Sequence, residues 1–127
     1  MKRVLENDFL KVTIDDHGAE LVSIYDKEKD REVIWQGDPR FWGRHAPVLF
    51  PNVGKHYGNH YRIGDKEYAS KQHGFARDTD FTCIDSTLDS VTHQIRSTEP
   101  GISLPDHLTV FLFVINADQL KIGRAHV

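Results

Sequence analysis

The sequence predicts an all-β fold, and specifically an antiparallel β-sandwich in preference to a closed barrel. Apolar and polar residues alternate along segments 10–15 and 91–96, a period of two that places one face of a strand on a core and the other in water. Turn-forming Gly, Pro and Asp residues separate these and other short segments. Strands this short and evenly spaced favour antiparallel sheets, and no stretch shows the pattern of an amphipathic helix.

The other strands are predicted from branched and aromatic residues that lie between turn signals. In chain order they are 20–25, 32–36, 60–63, 80–85, 108–115 and 119–122. The longest apolar run, 110–115, has the length of a strand that is covered on both faces. Segment 26–32 consists of charged residues, and we expect a solvated hairpin loop there rather than a turn of helix.

Segment 37–55 differs in composition, with three prolines, three glycines and three aromatic residues among several cations. Proline fixes φ and has no N–H to donate, so this segment cannot be a regular central strand. An irregular apolar segment that carries cations either lines a cleft or forms a covered crossover loop with ordinary surface charges. Composition leaves both interpretations open.

The overall composition excludes several classes of protein. A chain of 127 residues with 39% hydrophobic residues can bury the core of one domain, and its net charge of −3 argues against a nucleic-acid partner. The longest apolar run is far shorter than the ~20 residues that span a membrane, and no secretory signal precedes the first strand. Cys83 is the only cysteine, which excludes an intrachain disulfide and favours a cytoplasmic setting. The oligomeric state is left open.

The densest polar cluster is segment 72–78, Gln-His-Gly-Phe-Ala-Arg-Asp. The amide of Gln72 and the guanidinium of Arg77 can hydrogen-bond sugar hydroxyls, and His73 is of the residue type that acts as a general acid near neutral pH. A histidine and an arginine around a turn also serve structural roles, so the cluster alone does not distinguish a sugar-binding site from a structural turn.

The eight histidines raise the question of a metal site. His56 and His60 are four residues apart, a spacing that shares a face only on a helix, and the Gly-Asn pair between them indicates a turn. We therefore expect no metal and no other cofactor, with a metal-dependent cupin-like enzyme as a less favoured alternative.

Segments 46–55 (Ala-Pro-Val-Leu-Phe-Pro-Asn-Val-Gly-Lys) and 72–78, in this order and spacing, resemble the aldose 1-epimerase (galactose mutarotase-like) family. The similarity is greatest to its shorter bacterial branch, which is related to the hexose-6-phosphate mutarotases. Segments 18–24 and 33–38 are similar to that family's opening strands, so the resemblance extends over residues 2–121.

The resemblance implies a galactose mutarotase-like supersandwich and metal-free interconversion of the α and β anomers of an aldose. In that chemistry a carboxylate base removes the proton of the anomeric hydroxyl while an imidazole acid protonates the ring oxygen. The ring opens to the aldehyde, the C1–C2 bond rotates, and the ring closes on the other face.

The resemblance also implies roles for individual residues. Gln72 and Arg77 match sugar-binding residues, and His73 matches the histidine that faces the sugar and is assigned here as the catalytic imidazole. Arg44 matches a ligand arginine, with an offset of up to one residue. Lys55 stands where a cation approaches the sugar or a phosphate, although a solvated lysine fits the position equally well.

The chain departs from the family in two ways. Full-length relatives are more than twice as long, and their principal acid histidine and glutamate base have no counterpart here. Residues 122–127 do not resemble the family and match one reading frame of a widely used sequencing adapter. We expect residues 1–121 to be the truncated N-terminal part of a mutarotase-like domain and 122–127 to be a non-native tail. The alternative is a natural tail in which 119–122 complete a hairpin.

These expectations define the functional hypotheses. The leading one is an aldose 1-epimerase whose small-molecule sugar substrate, an aldohexose or a hexose phosphate, is not specified further. On this hypothesis the isolated chain is unstable and inactive. The alternative is a non-catalytic carbohydrate-binding β-sandwich that keeps the cleft formed by Gln72 and Arg77.

Overall fold

The computed structural model describes residues 1–96 and 111–117, and for 111–116 it describes the backbone only. Within these residues the chain forms strands and two short 3₁₀ turns but no α-helix, which confirms the all-β class. The strands are β1 (Lys2–Glu6), β2 (Leu10–Asp15), β3 (Glu20–Asp26), β4 (Arg31–Glu32), β5 (His60–Ile63), β6 (Lys66–Ala69), β7 (Thr82–Ser86), β8 (Ser90–Ile95) and β9 (Phe111–Asn116). The 3₁₀ turns are η1 (Tyr57–Asn59) and η2 (Ala76–Asp78).

The strands form antiparallel sheets in which neighbours along the chain are neighbours in space. The orders are β1-β2-β3-β4, β5-β6 and β7-β8-β9. Short antiparallel strands joined in sequence are what the alternating pattern predicts.

Most predicted strands lie where the pattern indicates. The strands predicted at 10–15 and 60–63 have the observed bounds, and those at 20–25, 80–85 and 91–96 are displaced at their ends by one or two residues. The strand predicted at 108–115 is observed as β9. Residues 108–110, the strand predicted at 119–122 and the tail 122–127 lie outside the described residues.

The strand predicted at 32–36 is wrong in its extent, because β4 contains only Arg31 and Glu32. The carboxylate of Glu32 accepts the N–H of Ile24 at 2.8 Å and the hydroxyl of Ser23 at 2.6 Å. The side chain of Glu32 therefore occupies the N–H of Ile24, which a longer β4 would need for backbone pairing, and the strand ends there.

The charged segment after β3 forms a hairpin turn, as predicted. Asp26 is buried, and its Oδ1 accepts the N–H groups of Glu28 and Lys29 at 3.0 and 3.2 Å. An Asp that bonds the backbone two and three residues ahead stabilises a turn and competes with a helix.

The main core joins two of the sheets. Its buried residues come from the first three strands, from β8 and from the residue after β9, and they are Leu5, Leu10, Val12, Ile14, Ile24, Val91 and Ala117. A second cluster contains Ala19, Ala76, Phe81 and Ile95, with Val48, Phe50 and Phe75 packed against it. Burial of these apolar side chains is the main force that holds the loops between the sheets in place.

Segment 37–55 contains no regular strand, in agreement with its proline content. Its one strand-like contact is an isolated parallel bridge between Phe50 and Gly74. Among residues 1–96 and 111–117, no helix has the length and apolar character needed to cross a membrane.

Candidate functional site

The candidate site begins with a tight turn at residues 71–74. The N–H of Gly74 donates to the carbonyl of Lys71 at 3.0 Å, so Gln72 and His73 are the two central residues of the turn. His73 has φ +63°, a left-handed conformation that is uncommon outside glycine but is adopted by His more often than by most residues. Gln72 is exposed and His73 is half-buried.

A reciprocal pair of hydrogen bonds fixes His73 to Gly54. The His73 N–H donates to the Gly54 carbonyl at 2.7 Å, and the Gly54 N–H donates to His73 Nδ1 at 2.8 Å. Because a backbone N–H can only donate, Nδ1 accepts and the ring proton lies on Nε2. Within the described part of the chain, Nε2 has no hydrogen-bond partner, so His73 presents a free N–H donor.

The turn lies directly against the proline-rich segment. The carbonyl of Phe50 accepts the N–H groups of Phe75 and Ala76 at 3.0 and 3.1 Å. A Cβ on Gly74 would stand 2.2 Å from this carbonyl oxygen, and Gly74 has φ +76°. Only glycine allows this approach, so Gly74 couples the two segments.

A buried ion pair joins the proline-rich segment to the first sheet. Glu20, the first residue of β3, has a side chain that is only 5% exposed. Its Oε2 accepts Arg44 Nε and Nη2 at 3.0 and 2.9 Å, and its Oε1 accepts the N–H groups of His45 and Ala46 at 2.7 and 3.1 Å. The carboxylate is thus fully hydrogen-bonded, as a buried charge requires.

The guanidinium of Arg44 also reaches the 3₁₀ turn η2. Nη2 donates to the carbonyl of Arg77 at 2.6 Å, and Nη1 donates to Asp78 Oδ1 at 3.1 Å. With the two bonds to Glu20, most N–H groups of Arg44 are engaged, and Nη1 keeps one further N–H for a ligand.

These contacts shift the pKa values of both partners. Burial acts to raise the pKa of Glu20, but the His45 N–H, the Arg44 guanidinium and the Ala46 N–H outweigh it and hold the pKa below its usual value. For Arg44, burial acts to lower the pKa, and the carboxylates of Glu20 and Asp78 raise it overall. Both groups are therefore charged at neutral pH.

Arg77 and Lys55 complete the set of predicted residues. Arg77 has a side chain that is 27% exposed, and its Nε lies 3.5 Å from Asp78 Oδ2. This Nε is buried and has no hydrogen-bond partner among the described residues. Lys55 is exposed and follows Gly54, the residue that holds His73.

The structure thus joins the segments that carry all five predicted residues. Gln72, His73 and Arg77 lie on one turn and the 3₁₀ turn that follows it. The Gly54 contact places Lys55 beside this unit, and the Arg77 carbonyl ties Arg44 to it. The shared sugar-facing orientation of their side chains stays a prediction.

Glu20 is a site residue that the sequence prediction missed. Glu20 is not found by a period of two, because a β-bulge at Val22 shifts the register and places Leu21, rather than Glu20, on the face that carries Ile24. Its partner Arg44 lies 24 residues away, a pairing that no local pattern shows.

The described residues contain no group of three or more His, Cys, Asp or Glu side chains that could hold a metal ion. His56 contacts Tyr61, with ring centroids 5.4 Å apart and ring planes tilted by 38°. His60 pairs with Glu67 at 3.1 Å. The two histidines singled out by spacing thus contact different partners.

Comparison with known proteins places this geometry in context. The family model for aldose 1-epimerase matches residues 1–115. The chromosomal protein LacX of Lactococcus lactis subsp. lactis is 36% identical over 97 residues, which cover 72% of this chain and 32% of LacX. The chain therefore spans about a third of the length of the curated relatives it matches.

Two solved structures share the fold. A galactose mutarotase-like protein from Lactobacillus casei ATCC 334 is 44% identical with a TM-score of 0.71, over 75% of this chain and 32% of that protein. A galactose mutarotase related enzyme from Lactobacillus acidophilus is 38% identical with a TM-score of 0.79, over 91% of this chain and 39% of that enzyme. The fold is galactose mutarotase-like, and the chain belongs to the aldose 1-epimerase family.

Proposed function

We propose that this chain supplies the sugar-binding loops of an aldose mutarotase, with His73 as the imidazole that hydrogen-bonds the sugar. The observation that carries the proposal is the clamp between His73 and Gly54, which holds the ring proton on Nε2. A neutral imidazole with a free N–H can donate a hydrogen bond to the ring oxygen of a pyranose and stabilise the negative charge that develops there as the ring opens. Family membership supports this class of reaction.

Gln72, Arg77, Arg44 and Lys55 are proposed to bind the sugar around this imidazole. The exposed amide of Gln72 can both donate to and accept from hydroxyl groups. Arg77 offers a rigid fork of donors, and Arg44 adds the remaining N–H of Nη1. Lys55 is placed to attract a phosphate or a hydroxyl oxygen.

The carboxylate base of the reaction is not assigned to a residue of this chain. The carboxylates of Glu20 and Asp78, which lie in the hydrogen-bond network around the Arg77 backbone, are both bonded to Arg44. A carboxylate that accepts from a guanidinium is a poor proton acceptor, because the cation stabilises its charged form. We therefore propose that this chain binds sugar but needs a further carboxylate for catalysis.

A non-catalytic carbohydrate-binding role is the second candidate. The same engagement of Glu20 and Asp78 favours it, since binding requires the donors around His73 but no base.

The test is an NMR titration of the isotopically labelled chain with glucose, galactose and glucose 6-phosphate. We expect chemical-shift changes at Gly54, His73 and Arg77 with millimolar aldose, and stronger binding of the phosphate ester if Lys55 and Arg77 take an anion. Absence of changes at these residues with all three sugars would contradict the proposal. Exchange spectroscopy between the sugar anomers in the same samples tests the missing base: we expect no acceleration by this chain, and faster exchange would show that one of its own carboxylates acts as the base.

A further inference from the structure

In the proposed sugar-binding role Glu20 does not contact the sugar, although its carboxylate accepts more hydrogen bonds than that of Asp78, the other carboxylate bonded to Arg44. The side chain is 5% exposed and accepts four N–H donors, two from Arg44 and one each from His45 and Ala46. Burial of a charge is costly, and an apolar residue would fill this position at lower cost. The arrangement therefore calls for an explanation beyond stability.

The contacts of Arg44 show where the influence of Glu20 leads. One guanidinium nitrogen, Nη2, donates both to Glu20 and to the carbonyl of Arg77, at 2.9 and 2.6 Å. Gly18 also lies against this carbonyl, because a Cβ on Gly18 would stand 2.6 Å from the oxygen. The Gly18 N–H also donates to the carbonyl of Thr79 at 2.7 Å.

Two features of the first sheet therefore hold the backbone of Arg77. One is the turn that precedes β3, and the other is Glu20, the first residue of β3, which acts through Arg44. Because two contacts hold this peptide, the side chain of Arg77 leaves the backbone from a defined point. The other end of the Arg44 guanidinium is fixed by Asp78, which prevents it from rotating about its Glu20 contacts.

We propose that Glu20 is a positioning residue that acts through Arg44 to place Arg77, and the free N–H of Arg44, for recognition of sugar hydroxyls. This inference rests on the proposed sugar-binding function. It assigns to the first residue of β3 a role in ligand recognition without contact with the ligand.

Replacement of Glu20 by Gln is the informative change. A glutamine has the same shape but only one oxygen acceptor, so its NH₂ group must face either the backbone donors of His45 and Ala46 or the guanidinium of Arg44. In either orientation a donor meets a donor. The Arg44 fork is then free to shift, and the Arg77 carbonyl loses its fixed partner.

Asp26 provides a matched control. It is a buried carboxylate at the other end of β3, and its Oδ1 accepts the N–H groups of Glu28 and Lys29 at 3.0 and 3.2 Å. Asp26→Asn removes a buried charge from the same strand without touching Arg44 or the turn that precedes β3. A general loss of stability affects both variants, whereas a positioning role affects only Glu20→Gln.

The experiment compares wild type, Glu20→Gln and Asp26→Asn by NMR below the unfolding temperature of each. The readouts are the Arg77 carbonyl ¹³C and Nε ¹⁵N shifts, followed by glucose titration. We expect Glu20→Gln to displace both Arg77 signals and to weaken glucose binding about tenfold. We expect Asp26→Asn to leave both readouts near wild type. Arg44→Lys, which keeps the charge but loses the fork that reaches Arg77, should reproduce Glu20→Gln and replaces it if that variant does not fold.

The outcomes separate this inference from the proposed function. If wild type binds no aldose, the sugar-binding role fails, and the Arg77 signals alone then test the link from Glu20. Arg77 signals that stay at wild-type positions in Glu20→Gln or Arg44→Lys would overturn the inference. So would glucose binding of wild-type strength in these variants, or an equal loss of binding in Asp26→Asn.

Discussion

The conformation of His73 shows how backbone contacts select the tautomer of a single residue. Its φ of +63° turns the ring toward Gly54, and the Gly54 N–H then selects the tautomer. Strained backbone at one residue persists only when neighbouring contacts hold it, and such strain is frequent at functional sites. Here the contacts are the reciprocal pair with Gly54.

At this scale we predict that His73→Asn weakens aldose binding about tenfold, because the imidazole N–H donor is lost. Asparagine is chosen because it tolerates positive φ, so the turn is retained. His60→Asn is the control: it removes an imidazole that pairs with Glu67 on the β5-β6 hairpin, and binding should stay unchanged. NMR titration with glucose measures both. Equal binding by His73→Asn and wild type would contradict the assigned role.

The ion pair of Glu20 predicts a pH dependence of stability. Its pKa in the folded protein lies below the usual value of 4.5, because hydrogen bonds and the Arg44 charge outweigh the effect of burial. The stabilisation is therefore complete above the unfolded pKa and is lost as pH falls through the lower folded pKa.

We expect Glu20→Gln to cost about 2–4 kcal/mol near neutral pH, somewhat less than a fully buried pair because Arg44 is partly exposed. As the pH is lowered from about 7 to about 3, the difference in Tm between wild type and variant should hold down to the usual Glu pKa of 4.5 and shrink below it, as the pH approaches the lower pKa of folded Glu20. A Tm difference that stays constant over this range would show that the charge of Glu20 contributes nothing.

At the scale of elements, the candidate site depends on the contact between two loops. The turn at 71–74 and the segment around Phe50 approach closely enough that a single Cβ on Gly74 would overlap a carbonyl oxygen. Rigid backbone on both sides leaves no room for relaxation, so glycine is a structural requirement here.

Gly74→Ala should therefore destabilise the fold by more than about 3 kcal/mol, because steric overlap adds to the cost of positive φ. Gly64→Ala is the matched control, since Gly64 also has positive φ, at +61°, but no neighbouring atom lies within 4 Å of the point where its Cβ would stand. It should cost only about 1 kcal/mol. Urea unfolding of both variants provides the comparison, and similar losses would mean that the close approach at Phe50 is unimportant.

The success of sequence prediction also differs between elements, for physical reasons. Strict alternation identified β2 and β8, whose inner faces are buried. β1 was missed because its apolar residues, Val4 and Leu5, are adjacent rather than alternating, and β6 was missed because Tyr68 is its only large apolar residue. The site divides in the same way. The local cluster that contains His73 was visible in the sequence, whereas pairing across 24 residues, as between Glu20 and Arg44, was not.

At the scale of the molecule, one core connects the first and third sheets. Val91 of β8 is fully buried in the same cluster as Leu5, Val12 and Ile14 of β1 and β2. Apolar contacts that cross between sheets make their unfolding cooperative. The loops of the candidate site lie between these sheets and depend on both.

We therefore expect Val91→Ala to lower the free energy of unfolding by about 2 kcal/mol, and to do so for β2 as well as for the sheet that contains β8. Amide hydrogen exchange measures this directly, as a loss of protection at Val12 and Ile14. Ile84→Ala in β7 is the control, because Ile84 is half-exposed and should cost less than about 1 kcal/mol. Reduced protection confined to β7 and β8 would show that the sheets unfold independently.

The central claim is that the fold holds a neutral His73 with its donor toward a sugar. The most direct measurement is the ¹⁵N–¹H spectrum of the histidine ring nitrogens, recorded at neutral pH with and without glucose. The account predicts that His73 carries its proton on Nε2 with Nδ1 unprotonated, and that glucose shifts Nε2 far more than Nδ1. A proton on Nδ1, or ring nitrogens that do not respond to any aldose, would contradict it.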